Sequence, residues 1–215
     1  MKRLFLASSG LSALPQCIGE DPETLSLLFI PTAGNLDDDT WWIQKDREVL
    51  HAMGFNIYDL DIAQTPLADM NEQLMTSDIV YIAGGNSFYL LQQLRKTGFG
   101  KLLQDYVNNG GFYAGASAGA LVAGGDIGPA ATLDEPDKVF NLKSTLGLHF
   151  VDIIPMPHYD GNPLSEIGLI KATHVGVFDM VLMTDDQAII VDGNNWELIN
   201  SPRSTVELEW IASNT

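Results

Sequence analysis

Apolar and polar positions along the chain fall into short blocks that alternate between two periods. Arg3 to Ala7 is a brief apolar run closed by the loop signal Ser8-Ser9-Gly10. Leu25 to Pro31 is nearly continuous in apolar residues, as expected of a strand covered on both faces, and it runs into Thr32-Ala33-Gly34-Asn35. Beyond Thr40 the period changes: Trp42, Val49, Leu50 and Met53 share one helical stripe, which Gly54 closes. Phe55 to Ile62 reads as a third strand, a short helix follows Pro66, and Asp78 to Ala83 is a fourth strand ending at Gly84-Gly85-Asn86. Ser87 to Lys96 and Gly100 to Val107 are helical, with Leu90, Leu91 and Leu94, then Leu102 and Leu103, as their apolar positions. A buried strand, a tight turn and a helix start follow between Gly110 and Ala120.

Strands and helices taking turns over the first 120 or so residues predict an α/β fold with a mainly parallel sheet. Ligands of such sheets collect beyond the carboxyl ends of the strands. Three loops belong there: Ser8-Ser9-Gly10, Gly84-Gly85-Asn86 and the turn at Ser117. Past Gly124 the pattern loosens. Residues 125–141 read as a long loop, and Leu146 to Met156 is strand-like, leading to Pro157-His158-Tyr159. Leu164 to His174 is helical, and Met180–Thr184, Ala188–Asp192 and Trp196–Ile199 are short strands with a meander signature. No linker interrupts the chain, so residues 1–215 are expected to form one domain.

Composition narrows the class. A hydrophobic share of 46% supports a sizeable core, and a net charge of −17 disfavours phosphate backbones and anionic membranes. Neither a nucleic-acid nor a membrane partner is expected. The one cysteine, Cys17, has no partner for an internal disulfide, and no cysteine–histidine spacing offers a zinc site. Asp37-Asp38-Asp39 suits a helix start better than a metal site, so neither metal nor cofactor is expected. The apolar run behind Lys2-Arg3 is too short for a signal peptide, and no window reaches the length of a membrane span. A cytoplasmic location is the expectation.

The candidate chemistry centres on Gly115-Ala116-Ser117-Ala118-Gly119, a G-x-S-x-G nucleophile elbow. Small flanking residues let a sharp strand-to-helix turn close around the serine, and the helix that follows aims its amides at the hydroxyl. A serine needs a base, and that base needs an orienting acid. Of the four histidines, His51 and His174 sit on or near helices and His149 reads as a strand position. His158 lies beyond a strand end among the converging loops and is the candidate base. For the acid, the loop between serine and histidine offers Asp134 and Glu135, whereas Asp160 is too near His158 in sequence to meet it comfortably. Elbow geometry makes the Ala118 amide one oxyanion donor, with Gly84-Gly85-Asn86 the natural source of a second.

Four segments together resemble the S51 serine peptidases: Phe29 to Gly34, Ala83 to Phe88, Gly115 to Ala120, and Met156 to Tyr159. The resemblance runs from the first strand to about residue 192. It implies a three-layer sandwich of the class I glutamine amidotransferase (flavodoxin-like) kind, and a peptidase of short peptides, monomeric or weakly dimeric. It also implies Ser117 as nucleophile, His158 as base, Asp134 as the acid with Glu135 as its alternative, and an oxyanion hole from Gly85 and Ala118. The aspartyl dipeptidases of that family carry a Thr-Arg-Glu-x-Arg segment after the histidine. Here the segment is Leu164-Ser165-Glu166-Ile167-Gly168, and both arginines are gone. The expected activity is therefore that of an exopeptidase or dipeptidase without strict aspartyl specificity. Hydrolysis of another amide, of the cyanophycin kind, or a binding role without catalysis are the alternatives.

Overall fold

The computed structural model describes residues 1–214. β1 (Arg3–Ala7) leads through a short helix, α1 (Leu14–Ile18), to β2 (Ser26–Ile30), then α2 (Trp41–Ala52), β3 (Asn56–Asp59), α3 (Leu67–Met75) and β4 (Ile79–Ile82). Two helices follow, α4 (Ser87–Lys96) and α5 (Phe99–Asn108), before β5 (Phe112–Ala116) and α6 (Ala118–Val122). The last third holds β6 (Ile154–Met156), α7 (Glu166–Thr173), β7 (Met180–Leu182), β8 (Gln187–Asp192), β9 (Asn195–Asn200) and α8 (Thr205–Asn214).

Seven strands form one sheet in the order β3-β2-β4-β5-β1-β8-β9, parallel from β3 through β1 and antiparallel across β8 and β9. Both faces are covered, which is why the central strands read as unbroken apolar runs. On one face Phe5, Phe29, Tyr81 and Ala114 pack against Leu14 and Ile18 of α1 and Ile43, Val49 and Leu50 of α2. On the other, Leu4, Leu28, Val80 and Tyr113 meet Met70 of α3, Leu91 of α4, Leu103 of α5 and Leu121 of α6. This is the layered α/β arrangement expected from the sequence.

Three readings need correcting. Residues 146–156 are not one long strand: only Ile154–Met156 is extended in a ladder, and Leu146 makes an isolated bridge to Asp126. The terminal strands do not form a meander, because β7 leaves β8 and pairs in parallel with β6 as a separate two-stranded sheet. The long loop also contains two 3-10 turns, Gly128–Thr132 and Pro136–Lys138.

Helix α8 has no clear sequence signal, and its buried member is the acidic Glu207. That carboxylate lies 2.7 Å from Lys45 Nζ of α2, which is also 3.0 Å from Asp46. A charged contact inside the fold ties α8 to α2, beside a stacked aromatic pair, Trp41 and Trp210, with ring centroids 6.2 Å apart. Burial pushes the Asp46 carboxyl up, against the opposing pull of Lys45 and of a 2.6 Å hydrogen bond from the Tyr81 hydroxyl.

Candidate active site

β5 carries Ser117 out of the centre of the sheet, and the backbone there is forced into φ 52°, ψ −112°. A side chain at positive φ stores strain on the order of 1–3 kcal/mol, which its surroundings must hold in place. They do so with backbone bonds: Ser117 N–H donates to Ala7 O at 3.0 Å, and Leu121 N–H to Ser117 O at 2.9 Å. The glycines of the motif answer to space. A Cβ on Gly115 would lie 2.6 Å from the Gly119 carbonyl, and one on Gly119 would lie 2.1 Å from the Ile82 oxygen. The Tyr113 hydroxyl further anchors the turn through Gly119 O at 2.6 Å. Ala118 opens α6, so its N–H has no intrahelical acceptor.

The β6–β7 pair brings two further polar side chains to Ser117. Its parallel register sets Met156 opposite Leu182, so the residues just beyond both strand ends emerge side by side. These are His158 and Asp185. His158 Nε2 lies 2.9 Å from Ser117 Oγ, and its Nδ1 lies 2.7 Å from Asp185 Oδ1. The Asp185 carboxyl is held down to about 2, first by the hydrogen bond from His158, then by the charges of His158 and Arg203 and a bond from Ser8, all opposing its partial burial. An ionised carboxylate only accepts, so Nδ1 carries a proton, which in the neutral imidazole leaves Nε2 facing the serine as an acceptor. The Arg203 guanidinium sits 2.7 Å from Asp185 Oδ2.

Asp134 does not stand behind His158. Its carboxylate accepts the Ser87 N–H at 3.1 Å, and its carbonyl accepts from the Asn86 side chain, so it closes the N-terminal end of α4. Burial raises the Asp134 carboxyl, opposed by its bonds with Ser87. Glu135 points to solvent and pairs with Lys138 at 2.6 Å. The order of the row along the chain is thus serine, histidine, aspartate, and the acid comes 27 residues after the histidine rather than before it. The available signal was an aspartate just past a strand end. Asp185-Asp186 reads equally well as a turn, which hid it.

The remaining histidines lie elsewhere: His51 is exposed on α2, His149 pairs with Asp152 at 2.9 Å, and His174 ends α7. Among the described residues no cluster of three or more His, Cys, Asp or Glu could hold a metal, and Asp39, just ahead of α2, accepts the Trp41 N–H at 3.1 Å.

A cleft of about 470 Å³ opens over Ser117 and His158. Gly84, Gly85, Asn86, Trp41, Trp42 and Leu133 line it, together with Asp37, Asp134 and Glu135. A Cβ on Gly84 would crowd Ser117, 3.1 Å from its Cβ. Gly85 adopts φ 139°, and its Cβ would strike Ala33 O at 2.4 Å, so this turn of the backbone needs glycine at position 85. The Trp42 indole holds the segment by donating to Gly84 O at 3.2 Å.

A parallel-sheet α/β fold with a serine on an elbow, backed by histidine and aspartate, is the build of a serine hydrolase. The chain belongs to peptidase family S51, whose model matches residues 10–199, and it is a peptidase. It is 32% identical over 196 residues to the uncharacterized peptidase Lmo0363 of Listeria monocytogenes, covering 90% of this chain and 96% of that one. It is 33% identical over 174 residues to peptidase E of Salmonella arizonae, covering 74% and 72%. The crystal structure of a candidate peptidase E protein from Listeria monocytogenes superimposes with a TM-score of 0.85 at 31% identity, covering 93% of this chain and 98% of that one. A peptidase from an acI-B1 Actinobacterium shares the fold, with a TM-score of 0.69 at 22% identity over 93% of this chain and 88% of that one.

Proposed function

We propose that this chain cleaves short peptides by acyl transfer through Ser117, His158 and Asp185, acting as an exopeptidase or dipeptidase without strict aspartyl preference. The observation that carries the reading is the continuous row Ser117 Oγ, His158 Nε2, His158 Nδ1, Asp185 Oδ1, with steps of 2.9 and 2.7 Å at the floor of the cleft. His158 takes the Ser117 hydroxyl proton as Oγ attacks the scissile carbonyl. The oxyanion then faces the amides of Gly85 and Ala118. The protonated imidazole passes its proton to the departing amine, which leaves an acyl-enzyme. A water activated by the same imidazole hydrolyses that ester and restores Ser117. Asp185 stays ionised throughout and keeps the imidazole in the tautomer the cycle needs.

The charges along the cleft support a substrate that is not acidic. A substrate carboxylate removed from water needs a cation of its own, and arginine suits it best. Two cations line the cleft, and each already faces carboxylates: Lys45 faces Asp46 and Glu207, and Arg203 faces Asp185. Of the other cations that could have approached, Lys138 pairs with Glu135, while Lys143 and Lys171 line separate surface hollows. The two lost arginine positions fall at Ser165, which caps α7, and at the buried Gly168.

Competition between Asp-Leu and Ala-Leu tests this directly. The kcat/KM ratio is expected to favour Asp by less than about tenfold, and Ser117→Ala to abolish both reactions. A hundredfold advantage for Asp, about 2.7 kcal/mol of transition-state binding, contradicts the specificity reading.

A further inference from the structure

The base and the acid of the row are poorly sheltered. The His158 side chain is 49% exposed and that of Asp185 38% exposed, so water competes for both ends of the bond between them. Both residues also sit on loops past strand ends, and His158 holds a backbone φ of 61°, a conformation that needs external support. Two side chains outside the row meet these needs.

Ser8 follows β1, and the parallel register that sets Ala7 opposite Ala116 places Ser8 beside Ser117. It is fully buried. Its Oγ accepts the backbone N–H of His158 at 2.8 Å and donates to Asp185 Oδ1 at 3.2 Å. A single hydroxyl thus braces the strained backbone of the histidine and the oxygen that its ring bonds. The other carboxylate oxygen, Oδ2, is held by Arg203 Nη2 at 2.7 Å, and the same guanidinium nitrogen lies 3.4 Å from Ser9 Oγ. The two arms act on different oxygens from different parts of the chain, one from the end of β1 and one from the segment ahead of α8. Together with the His158 ring they give both carboxylate oxygens a partner.

We propose that Ser8 and Arg203 are positioning residues that lock the Asp185 carboxylate, and through it the His158 ring, in the geometry that activates Ser117. The proposal rests on the peptidase reading of the row. It assigns work to a serine and an arginine that never touch the scissile bond, and to a loop, Ser8-Ser9-Gly10, that lies next to the elbow without carrying the nucleophile.

The test compares dipeptide hydrolysis, and labelling by a fluorophosphonate, in the wild-type chain and in Ser8→Ala, Arg203→Gln and Arg203→Lys. Ser8→Ala and Arg203→Gln are each expected to lower kcat by about tenfold or more with KM within about twofold, because the arms act on the base and not on substrate. Arg203→Lys keeps a cation able to donate one bond to Oδ2 and is expected to recover most of the loss. A residue that merely supports the fold would give no such split between kcat and KM and no rescue by lysine. Arg203 is partly exposed, so its variants test the proposal even if Ser8→Ala does not fold. Wild-type kcat in both Ser8→Ala and Arg203→Gln, beside an active and labelled wild-type chain, overturns this proposal alone. A wild-type chain that neither hydrolyses nor labels overturns the peptidase reading and the proposal with it.

Discussion

At the scale of single residues, the site depends on which carboxylate meets the imidazole. The meeting of Ser117 and His158 was legible in the sequence because each sits where the local pattern is clear: a glycine-flanked turn for one, a strand end among loops for the other. Asp185 was not legible. Its place beside His158 arises from the β6–β7 pairing, a non-local contact that leaves no periodic trace. Asp134 attracted the assignment through its position between serine and histidine, while its side chain serves the end of α4. The electrostatics of Asp185 have a consequence for stability. The bond from His158, with Arg203 and Ser8, lowers its carboxyl from 3.8 to about 2. A carboxyl depressed in the folded state contributes stability above its unfolded value and loses it as the pH falls through the folded one. Relative to Asp185→Asn, the wild-type chain is therefore expected to hold its full advantage above about pH 4 and to lose it toward about pH 2. Denaturant midpoints of the two proteins across that range check this, and an advantage that grows on acidification contradicts it.

At the scale of elements, the elbow is set by backbone against backbone. α6 can start immediately after Ser117 only because Gly115 and Gly119 let it press against β5 and β4. The atom that blocks a methyl on Gly119 is the Ile82 carbonyl oxygen, part of a buried central strand that cannot step aside. Gly119→Ala is expected to cost about 1–3 kcal/mol and to reduce hydrolysis as well, since relieving the clash moves the elbow. Chemical denaturation and a dipeptide assay on one preparation measure both effects, and a neutral substitution contradicts this view of the turn. The central strands and the helices α2 to α5 were readable because their apolar patterns match what they bury. β7 and α8 were not. β7 is too short for its partner to be read locally, and α8 is attached through Glu207 on Lys45 and Trp210 on Trp41, with Val206 and Leu208 left exposed. A buried ion pair is invisible to a search for apolar stripes.

At the scale of the whole molecule, the sheet order explains why the site lies where it does. β4, β5 and β1 are consecutive in the middle of the sheet and all point the same way, so Gly85, Ser117 and Ser8 emerge together beyond their carboxyl ends. The small β6–β7 sheet then brings His158 and Asp185 to the same strand ends. Among the described residues no helix is long and apolar enough to cross a membrane. The net charge of −17 surrounds a cleft whose two cations already face carboxylates, and the proposed indifference to an aspartyl side chain follows from that balance. The central claim is that Asp185, and not Asp134, orients the imidazole that activates Ser117. The most direct measurement is the rate of fluorophosphonate labelling, with the modified peptide located by mass spectrometry, in the wild-type chain, Asp185→Asn and Asp134→Asn. The probe is expected on Ser117, with a rate lower on the order of 10³-fold in Asp185→Asn, whose amide favours the wrong tautomer, and a rate within about tenfold of wild type in Asp134→Asn. Labelling lost in Asp134→Asn and kept in Asp185→Asn would contradict it.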